Sequence, residues 1–429
     1  MNRNKESYYR WVIVGASFVT LGLTYAIWYS FSVFFVALLK EFGWSRSTGA
    51  GAFSILAAIA GPMGLVAGSM VDRLGPTRVI VLGSVFLGVG LGLSCLIETW
   101  WQWYLFFGFI TGIGIGCTGW IPNTTVVQNW FKEQRGLAIG IISAGIGAGI
   151  LVWVPLAQHG IDLLGWRATF GIMAALIPLM IGSMALFVMK RTPPRSTAPS
   201  TSGELSQNIS TDPCIVDQEW ASRAWTLRKA MRTEPFWFLT AAYCLANVAT
   251  QAILAHQVAF FVDRGLKPII ASYFVGMVGL VSVGGKILWA ALSDRIGREV
   301  TYGLGAASAI LGVLSLISFQ ALASPILPYA YAFFFGLGYA VTASLPPLVT
   351  ADLFEGRTYG SIFGALMLLN GFGGAFGAWF TGFIYDRFQS YLWAFVLVIA
   401  CVLMTFYSVW KAAPRKIRRV PGKRSRQTI

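Results

Sequence analysis

Two short motifs occur twice in this chain, and the spacing between their copies is almost constant. Gly68-Ser-Met-Val-Asp72-Arg73-Leu-Gly75 is matched 222 residues later by Ala290-Ala-Leu-Ser-Asp294-Arg295-Ile-Gly297. A segment that begins at Phe131 and contains Arg135-Gly136 is matched by one that begins at Phe354, 223 residues later. One offset shared by two unrelated motifs predicts a duplicated chain, built from two halves of the same fold.

Composition places both halves in a membrane. The chain is 56% hydrophobic and only 11% charged, whereas soluble domains carry about 25% charged residues. Twelve apolar stretches are long enough to cross a bilayer as helices. They lie at about 11–38, 49–70, 78–97, 100–128, 137–158, 168–189, 235–262, 269–292, 301–320, 327–350, 359–384 and 391–410. The first is too long for a signal peptide and lacks a small-residue cleavage site. The predicted fold is an all-α integral membrane protein with twelve transmembrane helices in two pseudo-symmetric six-helix bundles.

The distribution of positive charge predicts the orientation. With twelve spans and an inside N-terminus, 25 of the 32 Lys and Arg fall in cytoplasmic segments and six in outer loops. This asymmetry follows the positive-inside rule, so both termini are expected in the cytoplasm of a plasma membrane of prokaryotic inner-membrane type. The basic tail, Lys411 to Arg426, is expected to contact anionic lipid and not nucleic acid.

The domain organisation follows from these spans. Residues 1–190 form the N-terminal six-helix bundle and 234–412 the C-terminal one; 413–429 form the basic tail. Residues 191–233 are rich in Pro, Ser and Thr and predict a mostly disordered cytoplasmic linker with a short helix near 217–231. The five cysteines show no metal or redox spacing and are interpreted as small apolar core residues.

The duplicated Asp-Arg-x-Gly loops resemble the signature of the major facilitator superfamily, and the resemblance covers the whole chain. Finer features resemble its monocarboxylate and oxalate–formate branch, although they mark the scaffold and not the substrate. These features are Phe42-Gly-Trp-Ser-Arg46, Asn129-Trp-Phe-Lys-Glu-Gln-Arg-Gly136, Gly165-Trp-Arg167 and Asp352-Leu-Phe354.

The signature loops carry candidate residues for conformational coupling. Carboxylates placed there can bond arginine side chains and the amino terminus of a neighbouring helix. We expect such a charge network to break when the two halves rock, so that Asp72 and Asp294 set the balance between the two states. A role limited to topology and folding is the alternative. The candidate residues are Asp72, Arg73, Arg78, Asp294, Arg295 and Arg298.

Lys286 is a cation within the eighth span. It lies eight residues before Asp294, about 12 Å from that end of the helix at 1.5 Å per residue. All 17 Asp and Glu fall in loops or at span ends, so an anionic substrate is its natural counter-ion. The resembling branch has a carboxylate-binding arginine at this place; a lysine supplies a point charge instead of a planar fork. A structural lysine bonded to backbone carbonyls, or a proton carrier, are the other interpretations.

His256 is a second candidate, in the outer half of the seventh span. It resembles a substrate-contacting histidine of bacterial monocarboxylate transporters, and imidazole titrates near physiological pH. A buried histidine satisfied by a neighbour is the alternative interpretation.

Other polar and aromatic side chains are expected to complete the substrate cavity. By the resemblance, Tyr29, Trp120 and Tyr339 correspond to aromatic residues that wall the cavity of the oxalate–formate carrier. That carrier has a second cation in the eleventh span, but the matching place here is apolar, close to Leu366, which favours a monoanion. The alternative for the aromatic residues is helix packing. The remaining candidates are Trp28, Asn123 beside Pro122, and Asn370.

These features predict a secondary transporter, working as a monomer without cofactor or metal, for a small organic monocarboxylate such as lactate or pyruvate. Proton symport is favoured and exchange of one anion for another is the first alternative, because no carboxylate is embedded in the spans. A membrane sensor built on a transporter scaffold is an alternative of another class. An enzyme is not expected, because the spans contain no metal-ligand cluster, nucleophile elbow or paired carboxylates.

Overall fold

The computed structural model describes residues 3–131, 135–189, 215–356, 358–418 and 420. Eleven helices are long and apolar enough to cross a membrane, and one of them, Ala138–Val188, contains two spans. The helical φ/ψ pattern of this long helix is interrupted at Gly165 (φ 80°, ψ 161°), which separates the predicted fifth and sixth spans. The residues that the structure describes are therefore all-α and contain twelve membrane helices, as predicted.

The membrane helices are numbered α1 to α12 in chain order. In the N-terminal half they are α1 (Arg3–Phe42), α2 (Arg46–Leu74), α3 (Pro76–Ser94), α4 (Trp100–Trp130), α5 (135–164) and α6 (166–188). In the C-terminal half they are α7 (Glu234–Asp263), α8 (Pro268–Ile296), α9 (Arg298–Leu322), α10 (Leu327–Leu353), α11 (Tyr359–Phe388) and α12 (Leu392–Ala412).

The duplicated signature forms the same tight turn in each half. Gly75 (φ 82°) ends α2, and α3 begins at the next residue. Gly297 (φ 107°) ends α8, and α9 begins at the next residue. Positive φ angles of this size favour glycine, so the motif fixes a one-residue connection between consecutive spans.

The outer faces of the helices are apolar and exposed. Leu179 is 70% exposed and Phe187 is 80% exposed. Exposed side chains of this type on a bundle of membrane-length helices face lipid. The buried core lies inside each bundle and between the halves. Within the N-terminal half it includes a cluster of packed aromatic rings, Phe31, Phe53, Trp103 and Phe107.

The most extensive contacts between the halves are those of α2 with α11 and of α5 with α8, and α1 also contacts α7. At the second pair a Cβ atom on Gly147 would lie 2.7 Å from the carbonyl oxygen of Gly279, so only glycine permits the observed backbone approach. In the first pair the Ser54 hydroxyl donates to the Ala375 carbonyl at 2.6 Å. Small residues thus bring the halves together where lipid provides no hydrophobic driving force.

The described part of the linker packs against the C-terminal half. Where the sequence predicts one short helix, the structure has two, Gln218–Ser222 and Leu227–Ala230. The Trp220 indole donates to the Leu353 carbonyl at 2.7 Å. The end of the bundle where this linker lies is called the linker end below, and the opposite end is called the Arg46 end. Residues 190–214, most of the segment predicted to be disordered, lie outside the described residues.

The first part of the basic tail pairs with acidic side chains of the C-terminal half. Arg415 pairs with Glu299 at 3.2 Å, and Arg418 pairs with Glu355 at 2.7 Å. These two arginines neutralise carboxylates at the linker end. Contact of the tail with lipid stays a prediction, and residues 421–426 lie outside the described residues.

Candidate functional site

A hydrogen bond between two tyrosines joins the halves near the middle of the membrane helices. The hydroxyl groups of Tyr29 on α1 and Tyr339 on α10 are 2.5 Å apart, and their rings meet edge to face with centroids 6.4 Å apart. Tyr29 is buried. Two of the three aromatic residues predicted to wall the cavity are therefore in direct contact in this conformation.

Lys286 lies beside this tyrosine pair. Its Nζ atom is 5.7 Å from the centroid of the Tyr339 ring, within the range of a cation–π interaction. Close packing of α8 on α10 sets this position: a Cβ on Gly285 would lie 2.7 Å from that of Ala340, and the Trp289 indole donates to the Leu337 carbonyl at 2.8 Å.

The charge of Lys286 has no anionic partner in the described part of the chain. The residue is 8% exposed, and its ammonium group makes neither a hydrogen bond nor an ion pair with a described residue. Burial of an ammonium group without a partner is costly. The arrangement is suited to an anion that arrives from outside the protein.

Trp28 and Trp120, two further candidates, belong to the N-terminal half of the chain. Trp28 meets Phe53 edge to face with centroids 5.0 Å apart, and its Nε1 is buried without a partner among the described residues. Trp120 begins the second segment of α4 and is half-buried against the hydrophobic core. Contact of either residue with substrate stays a prediction.

Asn123 occupies a break in α4. Pro122 has no N–H for the Thr118 carbonyl, and the Asn123 side chain donates to that carbonyl at 2.7 Å and to Gly119 at 2.9 Å. Asn123 is fully buried, with its Oδ1 unpartnered among the described residues. The amide nitrogen of Asn123 thus satisfies backbone carbonyls at the helix break. Contact of Asn123 with substrate stays a prediction.

Asn370 belongs to a pair of amides that the sequence analysis did not find. The Asn247 side chain donates to the Asn370 carbonyl at 2.8 Å and to its side-chain oxygen at 3.0 Å, and Asn370 donates to the Tyr243 carbonyl at 3.0 Å. Both asparagines are partly exposed. The pair links α7 to α11. The sequence shows an asparagine within each of these spans, but whether the two side chains meet depends on how the helices are rotated about their axes.

His256 lies between the halves towards the Arg46 end. Its Nε2 donates to the Ala378 carbonyl at 2.8 Å, and its Nδ1 faces the Tyr391 hydroxyl at 3.5 Å. Phe35 of the other half meets the ring edge to face at 5.2 Å. His256 is 2% exposed, so its predicted contact with substrate requires this packing to open.

The signature loops differ between the halves. Arg298 donates to Asp294 at 2.6 Å and to Asp352 at 2.9 Å, which closes a network within the C-terminal half. In the other half, Asp72 and Arg73 are exposed and form no ion pair with a described residue. The coupling role of the six signature residues stays a prediction.

The described residues contain no group of three or more His, Cys, Asp or Glu that could hold a metal ion. The buried Lys286 and the neighbouring tyrosines form an arrangement that is suited to a small anion bound between the two halves.

The chain matches the family model described as Major Facilitator Superfamily over residues 17–378. It is 24% identical to monocarboxylate transporter 13 of Rattus norvegicus over 92% of this chain and 86% of that protein. It is also 24% identical to the oxalate:formate antiporter of Oxalobacter formigenes over 90% of each chain. In structure it is similar to an inward-facing, unoccupied bacterial homologue of the human lysosomal transporter Spinster, with a TM-score of 0.73, 16% identity and coverage of 96% and 99%.

Proposed function

Because the chain belongs to the major facilitator superfamily, we propose that it is a secondary active transporter that carries a small organic monocarboxylate, such as lactate or pyruvate, together with protons. The observation that carries the proposal is the buried ammonium group of Lys286, which has no anionic partner among the described residues. A carboxylate bound there supplies the missing negative charge. Members of this family transport solutes and are not enzymes.

A single cation favours a substrate with a single negative charge. The oxalate–formate carrier that this chain resembles has a second cation in the eleventh span. The matching position in α11 is close to Leu366, which is fully buried among apolar side chains. A dicarboxylate would bring a second charge without a partner in a medium where unpaired charges are expensive. The names of the relatives, monocarboxylate transporter and oxalate:formate antiporter, are consistent with small carboxylates.

Proton coupling is assigned to His256. No Asp or Glu lies in the middle of a span, so an embedded carboxylate is not available as the proton carrier. The His256 ring is covered by Phe35 from the N-terminal half. Separation of the halves at the Arg46 end would remove Phe35 and expose the imidazole to water on that side, where it can take up a proton.

The linker end is proposed to face the cytoplasm of a prokaryotic inner membrane, as the charge distribution predicts. The binding site lies between the two halves of one chain, so one copy is sufficient for transport. Rocking of the halves would expose Lys286 first to one side and then to the other.

Uptake of radiolabelled L-lactate by proteoliposomes tests the proposal. We expect an inward proton gradient to drive accumulation, and collapse of the gradient to abolish it. Lys286→Gln, which removes the charge, should lose uptake, whereas a matched substitution on the lipid-facing side of the same helix, Leu288→Ala, should retain it. No flux of lactate or pyruvate in the wild type would refute the proposed substrate.

Exchange of anions is the second candidate, favoured by the lack of a mid-span carboxylate. Uptake that depends on an anion preloaded inside the vesicles, and not on the proton gradient, would support exchange. Substrate binding without any flux would support the membrane-sensor alternative instead.

A further inference from the structure

Arg46, the first residue of α2, forms an ion pair between the two halves. Its Nη2 donates to both side-chain oxygens of Asp263, at 2.6 and 2.8 Å. Asp263 is the last residue of α7, so the ion pair joins the N-terminal half to the C-terminal half at the Arg46 end. The Arg46 side chain is only 14% exposed and that of Asp263 is 28% exposed, so water screens this pair incompletely.

A second carboxylate binds the backbone of the same residue. One oxygen of Asp386 accepts from the Arg46 N–H at 2.7 Å, and the other accepts from the Ser47 N–H at 2.8 Å. These are the first two N–H groups of α2, which have no partner within their own helix. A carboxylate at a helix amino terminus is favoured by the helix dipole and by charge-assisted hydrogen bonds. Residues from α7 and α11 of one half therefore hold the start of α2 in the other.

Aromatic rings complete the contact. The Arg46 guanidinium lies 4.4 Å from the centroid of Tyr385 and 5.7 Å from that of Tyr391. Tyr391 also faces His256. A Cβ on Gly382 would lie 2.7 Å from the Arg46 carbonyl oxygen, so the backbone of α11 approaches α2 closely at this point. The cation is thus enclosed by partners that all belong to the opposite half.

No comparable connection joins the halves at the linker end between residues that the structure describes. Among the described residues, the side-chain hydrogen bonds and ion pairs between the halves lie at Tyr29–Tyr339, at Ser54–Ala375 and around Arg46. The charged groups of the described signature loops bond within their own half or lack an ion-pair partner. Of the contacts between described residues, those between the halves that involve charged side chains lie at the Arg46 end.

We propose that Arg46, Asp263 and Asp386 form a latch that holds the Arg46 end closed and must break each time the substrate site opens to that side. The proposal rests on the proposed function as an alternating-access transporter. Its components lie outside the duplicated signature, and no comparable charged contact joins the halves at the linker end among the residues that the structure describes. Loss of the latch lowers the population of the state closed at the Arg46 end and raises the population of the state open at that end.

Cysteine labelling in nanodiscs measures this balance without substrate. Ser54 lies eight residues into α2 from Arg46, in the α2–α11 contact, and Ser54→Cys introduces a probe that becomes accessible when the Arg46 end opens. The purified full-length protein is treated with a bulky, water-soluble maleimide, and the protein with Ser54 intact gives the background from native cysteines. We expect Arg46→Gln to raise the labelling rate about tenfold and Asp263→Asn to raise it several-fold. The double substitution should label no faster than Arg46→Gln alone, because both changes break the same ion pair.

Arg167→Gln is the matched control. Arg167 pairs with Glu41 at the same end of the molecule, but both residues belong to the N-terminal half. Its substitution should leave the labelling rate unchanged. Wild-type labelling rates in Arg46→Gln or Asp263→Asn, with unfolding midpoints that match the parent protein, would overturn the proposal. If Arg46→Gln fails to fold, Asp263→Asn alone decides the result.

The labelling result is independent of the substrate assignment. Faster labelling of the variants together with no monocarboxylate flux in the wild type would support the latch and refute the proposed substrate. Unchanged labelling together with lactate uptake would refute the latch and leave the proposed function standing.

Discussion

The Nζ atom of Lys286 lies 5.7 Å from the centroid of the Tyr339 ring, and the hydroxyl of the same tyrosine bonds Tyr29 in the opposite half. Lys286, the candidate anion-binding residue, therefore lies beside a hydrogen bond that forms only while the two halves are close together. A substrate that binds Lys286 and displaces Tyr339 would loosen this bond. This geometry links occupancy of the site to the relative position of the halves.

Tyr29→Phe should favour opening at the Arg46 end. The substitution removes one neutral hydrogen bond between the halves, and a bond of this type contributes about 1 kcal/mol, which corresponds to about a fivefold change in the ratio of the two states. Labelling of the Ser54→Cys probe should accelerate by about that factor. Tyr331→Phe is the control, because Tyr331 bonds Gln257 at 2.6 Å within one half. Equal acceleration in both variants would contradict the role of the Tyr29–Tyr339 bond.

Asn123→Ala should destabilise the fold. The change leaves the carbonyls of Thr118 and Gly119 without the donors that Asn123 supplies, and an unsatisfied buried polar group costs about 1–3 kcal/mol. The unfolding midpoint, followed by tryptophan fluorescence in detergent, should fall, while Asn129→Ala at an exposed position of the same helix should leave it unchanged. An unchanged midpoint with a large rise in KM for lactate would instead support direct contact with substrate.

His256→Gln should separate proton coupling from anion binding. Glutamine keeps a donor for the Ala378 carbonyl but cannot take up a proton near neutral pH. Uptake driven by the proton gradient should be lost, whereas exchange of internal for external lactate should persist. Exchange lost together with gradient-driven uptake, in a protein of normal stability, would point to substrate contact; full retention of gradient-driven uptake would rule His256 out as the proton carrier.

Asp72→Asn tests the predicted coupling role of the signature loops. In this conformation Asp72 has no ion-pair partner among the described residues. If its carboxylate bonds across the linker end when that end closes, its loss should disfavour that state, and the Ser54→Cys probe should label several-fold more slowly. Asp294→Asn acts on a carboxylate already bonded to Arg298 within one half, so its effect on the unfolding midpoint should be larger. Unchanged labelling in Asp72→Asn would restrict the residue to folding and topology.

Much of the fold could be predicted because it depends on local and repeated features of the sequence. Span length, the positive φ at Gly75 and Gly297, and the interruption at Gly165 follow from apolar run lengths and from glycine placed between them. The lack of an acidic partner for Lys286 could also be anticipated, since no Asp or Glu lies in the middle of a span.

Contacts between the halves could not be predicted in the same way. The pairing of Tyr29 with Tyr339, and the choice of Asp263 and Asp386 as partners of Arg46, depend on the relative position of two bundles that are far apart in sequence. Similarly, Asn123 is polar and lies within a span, and these features alone do not distinguish a substrate ligand from a residue that satisfies a helix break.

Equilibrium binding of radiolabelled L-lactate to the purified protein tests the assignment of Lys286 most directly, because it does not depend on coupling or on rocking of the halves. We predict saturable binding to the wild type, weaker binding to Lys286→Arg, which keeps the charge in a different shape, and loss of binding in Lys286→Gln. Tyr331→Phe, which removes a hydroxyl away from the site, should bind as the wild type does. Undiminished binding of lactate to a folded Lys286→Gln protein would contradict the account.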